Sequence, residues 1–246
     1  MNFLTYCELD TSTPPEIIFT LQFLMMKLHV SLDDIQLFSG RAGEEEARKV
    51  YPQIRAWTEE SDSRTAVWHA GQLFRVARSF EKTRLRDFYA VAVHHAALTL
   101  WVYGMVVSNT NRQSGLQTPV AQTFASQTPS GQRSRQSQAQ AHLTTATSSR
   151  KRLYLDGPDE KAGRAFAQLR LGVPGLQKIY QTTTNSSVRL DALPSSGTFC
   201  PLYNSKGVMS VAADILRSNF PRSREGLPPL VENLANLMDD LGKLST

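Results

Sequence analysis

Residues 90–104 read "AVAVHHAALTLWVYG". This stretch lies inside Phe88–Val107, 20 residues without a formal charge, and sets His94 and His95 side by side in an apolar run. A run of that length is enough for a helix to span a bilayer. Its two histidines, Thr99, Tyr89, Tyr103 and Gly104 argue for a protein interior instead, because polar groups are costly in lipid. The segments before it are amphipathic and suit it as soluble partners. It therefore reads as the buried central helix of an all-α domain, and no membrane contact is expected.

Upstream, the helical pattern is continuous. "TPPEIIFTLQFLMMKLHV" (13–30) has a Thr placed to cap, prolines for a first turn, and an apolar surface almost all round, as in a buried helix. "SLDDIQLFSG" (31–40) carries a Ser31 cap, first-turn acids and Gly40 as a stop. In "GEEEARKVYPQIRAW" (43–57), Glu44 and Glu45 precede Arg48 and Lys49 by four residues, the favourable order for helix ion pairs, and Pro52 is expected to kink or interrupt the helix. "RTAVWHAGQLFRVARSF" (64–80) puts Val67, Ala70, Leu73, Phe74 and Ala77 on one stripe, with Gln72, Arg75, Arg78 and Ser79 away from it. Gly71 beside that stripe would admit a close neighbouring helix, and the charged turn "EKTRLRD" leads into the central run.

Downstream, residues 109–152 hold six basic residues, no Asp or Glu, and mostly Ser, Thr, Gln and Ala. Such a segment cannot bury enough surface to offset its ordering entropy, so it reads as a disordered insert. Three regions result: an N-terminal helical part (1–108), the insert (109–152), and a C-terminal helical part (153–246) packing on the first. In the last, "DGPDEKAGRAFAQLRLG" (156–172) has Asp156 or Gly157 as cap, Pro158 and two acids in the first turn, and Gly172 as its end. "NSKGVMSVAADILRSNFP" (204–221) gathers Val208, Val211, Ala212 and Ile215, and "LPPLVENLANLMDDLGKL" (227–244) gathers Leu230, Leu234, Leu237 and Leu241. No period-2 alternation bounded by hairpin turns stands out. The expected fold is an irregular multi-helix bundle in two parts.

The bulk numbers agree. A chain of 246 residues with 41% hydrophobic residues can bury a core while leaving part of itself unpacked. Two cysteines, Cys7 and Cys200, are too few for a disulfide framework or a four-ligand zinc site, and no secretory signal is evident. The net charge of +5 suggests nucleic acid, yet outside 109–152 the chain holds 21 basic against 22 acidic residues. The basic excess belongs to one segment, and the helical body has none with which to attract phosphate.

Chemical candidates are few. His94 and His95, as sequence neighbours, diverge by about 100° on a helix, whereas paired helical ligands need a spacing of three or four. They read as structural, with His69 and His29 able to converge only from other helices. The acid pairs Asp33/Asp34 and Asp239/Asp240 suggest a helical metal- or diphosphate-dependent enzyme, an alternative that would use Asp33/Asp34 or His94/His95. A third acid at helical spacing is missing, with Leu37 and Lys243 in the places to look. Cys200 is a lone thiol, and no phosphate-loop, dinucleotide or nucleophile-elbow motif occurs. Arg150, Lys151 and Arg152 form a candidate nuclear-import cluster. The expected core residues are Trp68, Gly71, Phe74, Tyr89, His94, His95 and Trp101.

"VWHAGQLFRVARSFEKTRLRDFYAVAVHHAALTLWVYG", Val67–Gly104, resembles the core block of the fungal-specific transcription factor domain, the middle or C-terminal regulatory region of fungal zinc-finger transcription factors. "LHVSLDDIQLFSGRAGEEEARKVYPQIRAW", "FCPLYNSKGVMSVAADILRSNFP" and "LPPLVENLANLMDDLG" agree in order, and the similarity is greatest to the subgroup with two-cysteine, two-histidine fingers. The resemblance implies a helical, non-enzymatic regulatory region of a nuclear RNA polymerase II transcription regulator. Its expected partners are proteins of the transcription machinery or a full-length family member, with DNA reached only indirectly. In that family zinc belongs to fingers N-terminal to this region. No finger is present here, so a truncated member is expected, with no cofactor and no metal-ligand or catalytic residue to transfer.

Overall fold

The computed structural model describes residues 13–115, 151–158, 160–178, 198–221 and 226–244. The chain is mostly helical, with α1 (Pro15–Leu28), α2 (Leu32–Phe38), α3 (Glu44–Glu59), α4 (Ser61–Ala77) and α5 (Phe88–Gly115) in its first part. Then follow β1 (Arg152–Tyr154), α6 (Glu160–Leu169), β2 (Val173–Lys178), β3 (Thr198–Pro201), α7 (Ser205–Ser218) and α8 (Pro229–Lys243).

α5 contains the opening stretch and is the hub, touching α1, α2, α3, α4, α7 and α8. Among the described residues it is the one helix long and apolar enough to cross a membrane, and 78% of its 18-residue apolar window is buried within the fold. Ala92, Val93, Ala96, Ala97, Leu100 and Val106 are fully covered, so its apolar surface is satisfied by neighbouring helices. α5 runs on to Gly115, carrying the helix into the segment expected as an insert, and Arg152 opens β1 at the other end. Residues 116–150 lie outside the described residues.

Local signals are realised in most places. Ser31 Oγ accepts from Asp34 N at 3.3 Å, and Gly40 follows the end of α2 with φ +94°. Arg48 pairs with Glu44 at 2.6 Å and Lys49 with Glu45 at 3.1 Å. Pro52 does not end α3, which continues to Glu59. At the start of α1 the cap position is Pro14, without a side-chain cap, rather than Thr13. α1 is also less enclosed than its composition suggests. Phe19, Phe23 and Met26 face the core, while Ile17, Leu24 and Leu28 are exposed.

α4 is buried over most of its surface, and of the face expected to be solvated Arg75 and Ser79 are exposed while Gln72 and Arg78 turn inward. Gln72 is buried, and its amide donates to Leu155 O at 2.7 Å and Gly157 O at 2.9 Å. Arg78 donates to the buried Asp156. Asp156 is therefore not the cap of α6; its carboxylate accepts from Gln177 N at 3.0 Å instead. In α8 the buried face is Val231, Ala235, Met238, Leu241 and Gly242, rotated from the expected leucine stripe, so that Leu230 and Leu237 are exposed.

A small sheet joins the helices, in the order β1-β2-β3, with β1 parallel to β2 and β2 antiparallel to β3. Its strands are too short to show alternation, and Pro174, Gly175 and Pro201 disguise them. The sheet region meets the helices at glycines. A Cβ on Gly71 would lie 2.4 Å from Leu155 Cβ, and one on Gly104 would lie 2.0 Å from Leu202 O. Gly71 thus admits the turn that follows β1 rather than a helix. Of the expected core residues, Gly71, Phe74, His94 and Trp101 are buried, and Trp68, Tyr89 and His95 are half-buried.

Candidate functional site

The histidines form two neighbourhoods. His69 lies on α4 and donates from Nδ1 to Gln22 Oε1 at 2.7 Å. Burial, and secondarily the nearby His29, pushes its pKa down to about 4. His29 Nδ1 is 3.3 Å from Asp62 Oδ1, close enough for an ion pair but not aligned as a hydrogen bond. On α5, His95 Nε2 accepts from the Gln36 amide at 3.0 Å, and its ring stacks on Phe23. His94 is held at about 4 by burial and by His95, and His95 is lowered by burial and by Lys27. The two rings are tilted apart, with centroids 6.1 Å from one another. Neutral imidazoles within a helical core are what this geometry supports.

Among the described residues, no three His, Cys, Asp or Glu side chains gather as a metal-binding group. The acid pairs are engaged locally: Asp33 with Arg41 at 3.4 Å, Asp239 with Arg217 at 2.7 Å, and Asp240 with Lys243 at 2.9 Å. Asp34 lies in the first turn of α2, where the helix dipole favours an acid. Cys200 is buried, its thiol pushed up by burial, and it packs on Gly207. In the basic cluster, Arg150 lies outside the described residues. Lys151 and Arg152 are exposed, and the Arg152 guanidinium lies over the Phe199 ring at 5.5 Å.

Two features escaped the sequence. The first is the polar knot at Asp156. Arg78 Nη1 meets Asp156 Oδ2 at 2.5 Å while Arg78 Nη2 donates to Gln177 O at 3.0 Å, tying α4 to β2. Burial pushes the Asp156 carboxyl up, against the opposing pull of Arg78 and of Gln177 N. Only the run of polar residues at 72, 75 and 78 hinted at it, and that pattern equally describes a solvated face.

The second is a cleft of about 960 Å³ between the end of α3, the C-terminal half of α5, the end of α6 and the segment after β3. Val107, Phe166, Leu171, Leu202 and Tyr203 supply apolar walls, and Tyr103, Glu59 and Arg170 supply polar groups. The Tyr103 phenol is raised by burial, against the pull of Arg170 and Arg64, so at neutral pH it is a hydrogen-bond donor. Arg170 has φ +56°, directly after the last residue of α6. No sequence pattern marks this cleft, because its walls come from four separated stretches.

No protein-family model matches the chain, and no curated protein or solved structure proved similar to it.

Proposed function

We propose that this chain is the regulatory, non-DNA-contacting region of a fungal RNA polymerase II transcription regulator, acting in the nucleus through protein contacts. The observation that carries this reading is the resemblance of Val67–Gly104 to the core block of the fungal-specific transcription factor domain. That block supplies most of α4 and the first part of α5, the two helices around which the fold is built. Two further features support it. The body outside 109–152 is almost neutral, unlike an autonomous DNA reader with a basic face. The exposed Ile17, Leu24 and Leu28 on α1 offer apolar surface of the kind used in protein contacts.

The test is a reporter assay with the whole chain fused to a foreign DNA-binding domain. Output should change relative to that domain alone, in either direction, and the change should vanish when the fold is broken by Phe74→Asp, which places an unpaired charge at a fully buried position. Unaltered output across several growth conditions would overturn the reading.

A further inference from the structure

We infer that the cleft beside Tyr103 and Arg170 is a binding site for a small monoanionic amphipath, a carboxylate borne on an apolar chain or ring. It does not rest on the regulatory reading, and either can fail alone. The volume of about 960 Å³ lies within the range of small-molecule sites, and its lining is split almost evenly between apolar and polar surface, which suits an amphipathic ligand rather than a purely apolar one. At the mouth, Leu171 is 57% and Tyr203 66% exposed, leaving apolar surface beside the polar end that an apolar body could cover.

Arg170 supplies the specificity. An arginine at a helix C-terminus ordinarily serves the last carbonyls. Here Arg64, itself buried, takes that part by donating from Nε to Ala167 O at 3.0 Å, and its Nη1 is engaged by Glu60 O at 2.8 Å. Arg170 is left without an ion pair among the described residues, although Glu59 lines the same cleft. Its side chain is exposed to approach from solvent, and its backbone is held at φ +56°, where glycine is the ordinary choice.

A planar guanidinium fork matches a carboxylate, and the protonated Tyr103 phenol adds a second donor in the same cleft. Glu59 opposes a second negative charge, which favours a monoanion over a phosphate dianion.

The probe is decanoate, titrated calorimetrically into the full chain below its micellar concentration. Tryptophan fluorescence is read in parallel in a Trp68→Phe, Trp101→Phe background, where the remaining Trp57 ring stands edge-on to Tyr103 with centroids 6.3 Å apart. Saturable binding at one site per chain is expected, with 1-decanol at least ~10-fold weaker, as for loss of a charge-assisted pair. Arg170→Gly should weaken decanoate by a similar factor of ~10 or more while leaving the melting temperature unchanged or higher, because glycine suits the left-handed backbone. Leu171→Asp, at an exposed position, should also abolish binding without unfolding the chain. Absence of saturable binding, equal affinity for decanol, or undiminished affinity in Arg170→Gly would each overturn the assignment.

Discussion

Asp156 shows how much one buried carboxylate can organise. Its side chain is fully buried, and it accepts from Arg78 and from Gln177 N, so three chain segments converge on two oxygens. Burial pushes the carboxyl up against the pull of Arg78, and the pair holds the end of α4 to β2 at the cost of desolvating both charges. Removing only the cation leaves a carboxylate stranded in the interior. Arg78→Ala should therefore destabilise the protein by about 3–5 kcal/mol at pH 7. Asp156→Asn keeps an acceptor for Gln177 N and removes the charge, so it should cost less. Combining the two should recover part of the Arg78→Ala loss, a coupling read by urea denaturation of the four proteins. Strictly additive losses would mean that the pair is solvated.

At the scale of elements, glycine contacts separate what the sequence announces from what it conceals. Gly104 and Gly242 both lie inside helices, where alanine is intrinsically preferred by about 1 kcal/mol. A Cβ at Gly242 would meet nothing nearer than Met209 Cβ at 3.3 Å, whereas at Gly104 it would lie 2.0 Å from the backbone oxygen of Leu202. Gly242→Ala should be close to neutral. Gly104→Ala should cost roughly 2–3 kcal/mol or more, because backbone must move to admit the methyl group; thermal unfolding of both variants is the check. The helices themselves were legible, since caps such as Ser31, the Glu44–Arg48 spacing and the apolar faces of α4 and α7 are local codes. What Gly71 and Gly104 touch was not, because Leu155 and Leu202 come from distant sequence and belong to a sheet region too short to show a period. The same limit hid the inward turn of Gln72 and Arg78, whose partners lie beyond residue 150. It also hid the cleft, whose walls are ordinary stretches of helix, strand and turn when each is read alone.

For the molecule as a whole, neutral histidines in the core tie stability to acidity. His69 and His94 are both held at about 4 by burial, and His95 is lowered as well. In the unfolded chain these rings titrate near 6.5. Above that pH neither state binds the protons, and the histidines contribute no pH dependence. Below it the unfolded chain takes them up while the native core refuses them until about 4, so stability falls as pH falls across that window. Each such histidine contributes up to about 1.4 kcal/mol per pH unit there. Asp156 and Asp214, raised by burial, act in the opposite direction just above the ordinary aspartate value of 3.8, so the histidine signal is cleanest in the upper part of the window. His94→Gln should therefore leave a shallower loss of stability from pH 6.5 to 5, by one proton's worth of slope, whatever its cost at pH 8. Urea denaturation at half-unit intervals measures that slope directly. An unchanged slope in the variant would mean that His94 takes up its proton in the native state at an ordinary pKa, and that the centre of α5 is open to water.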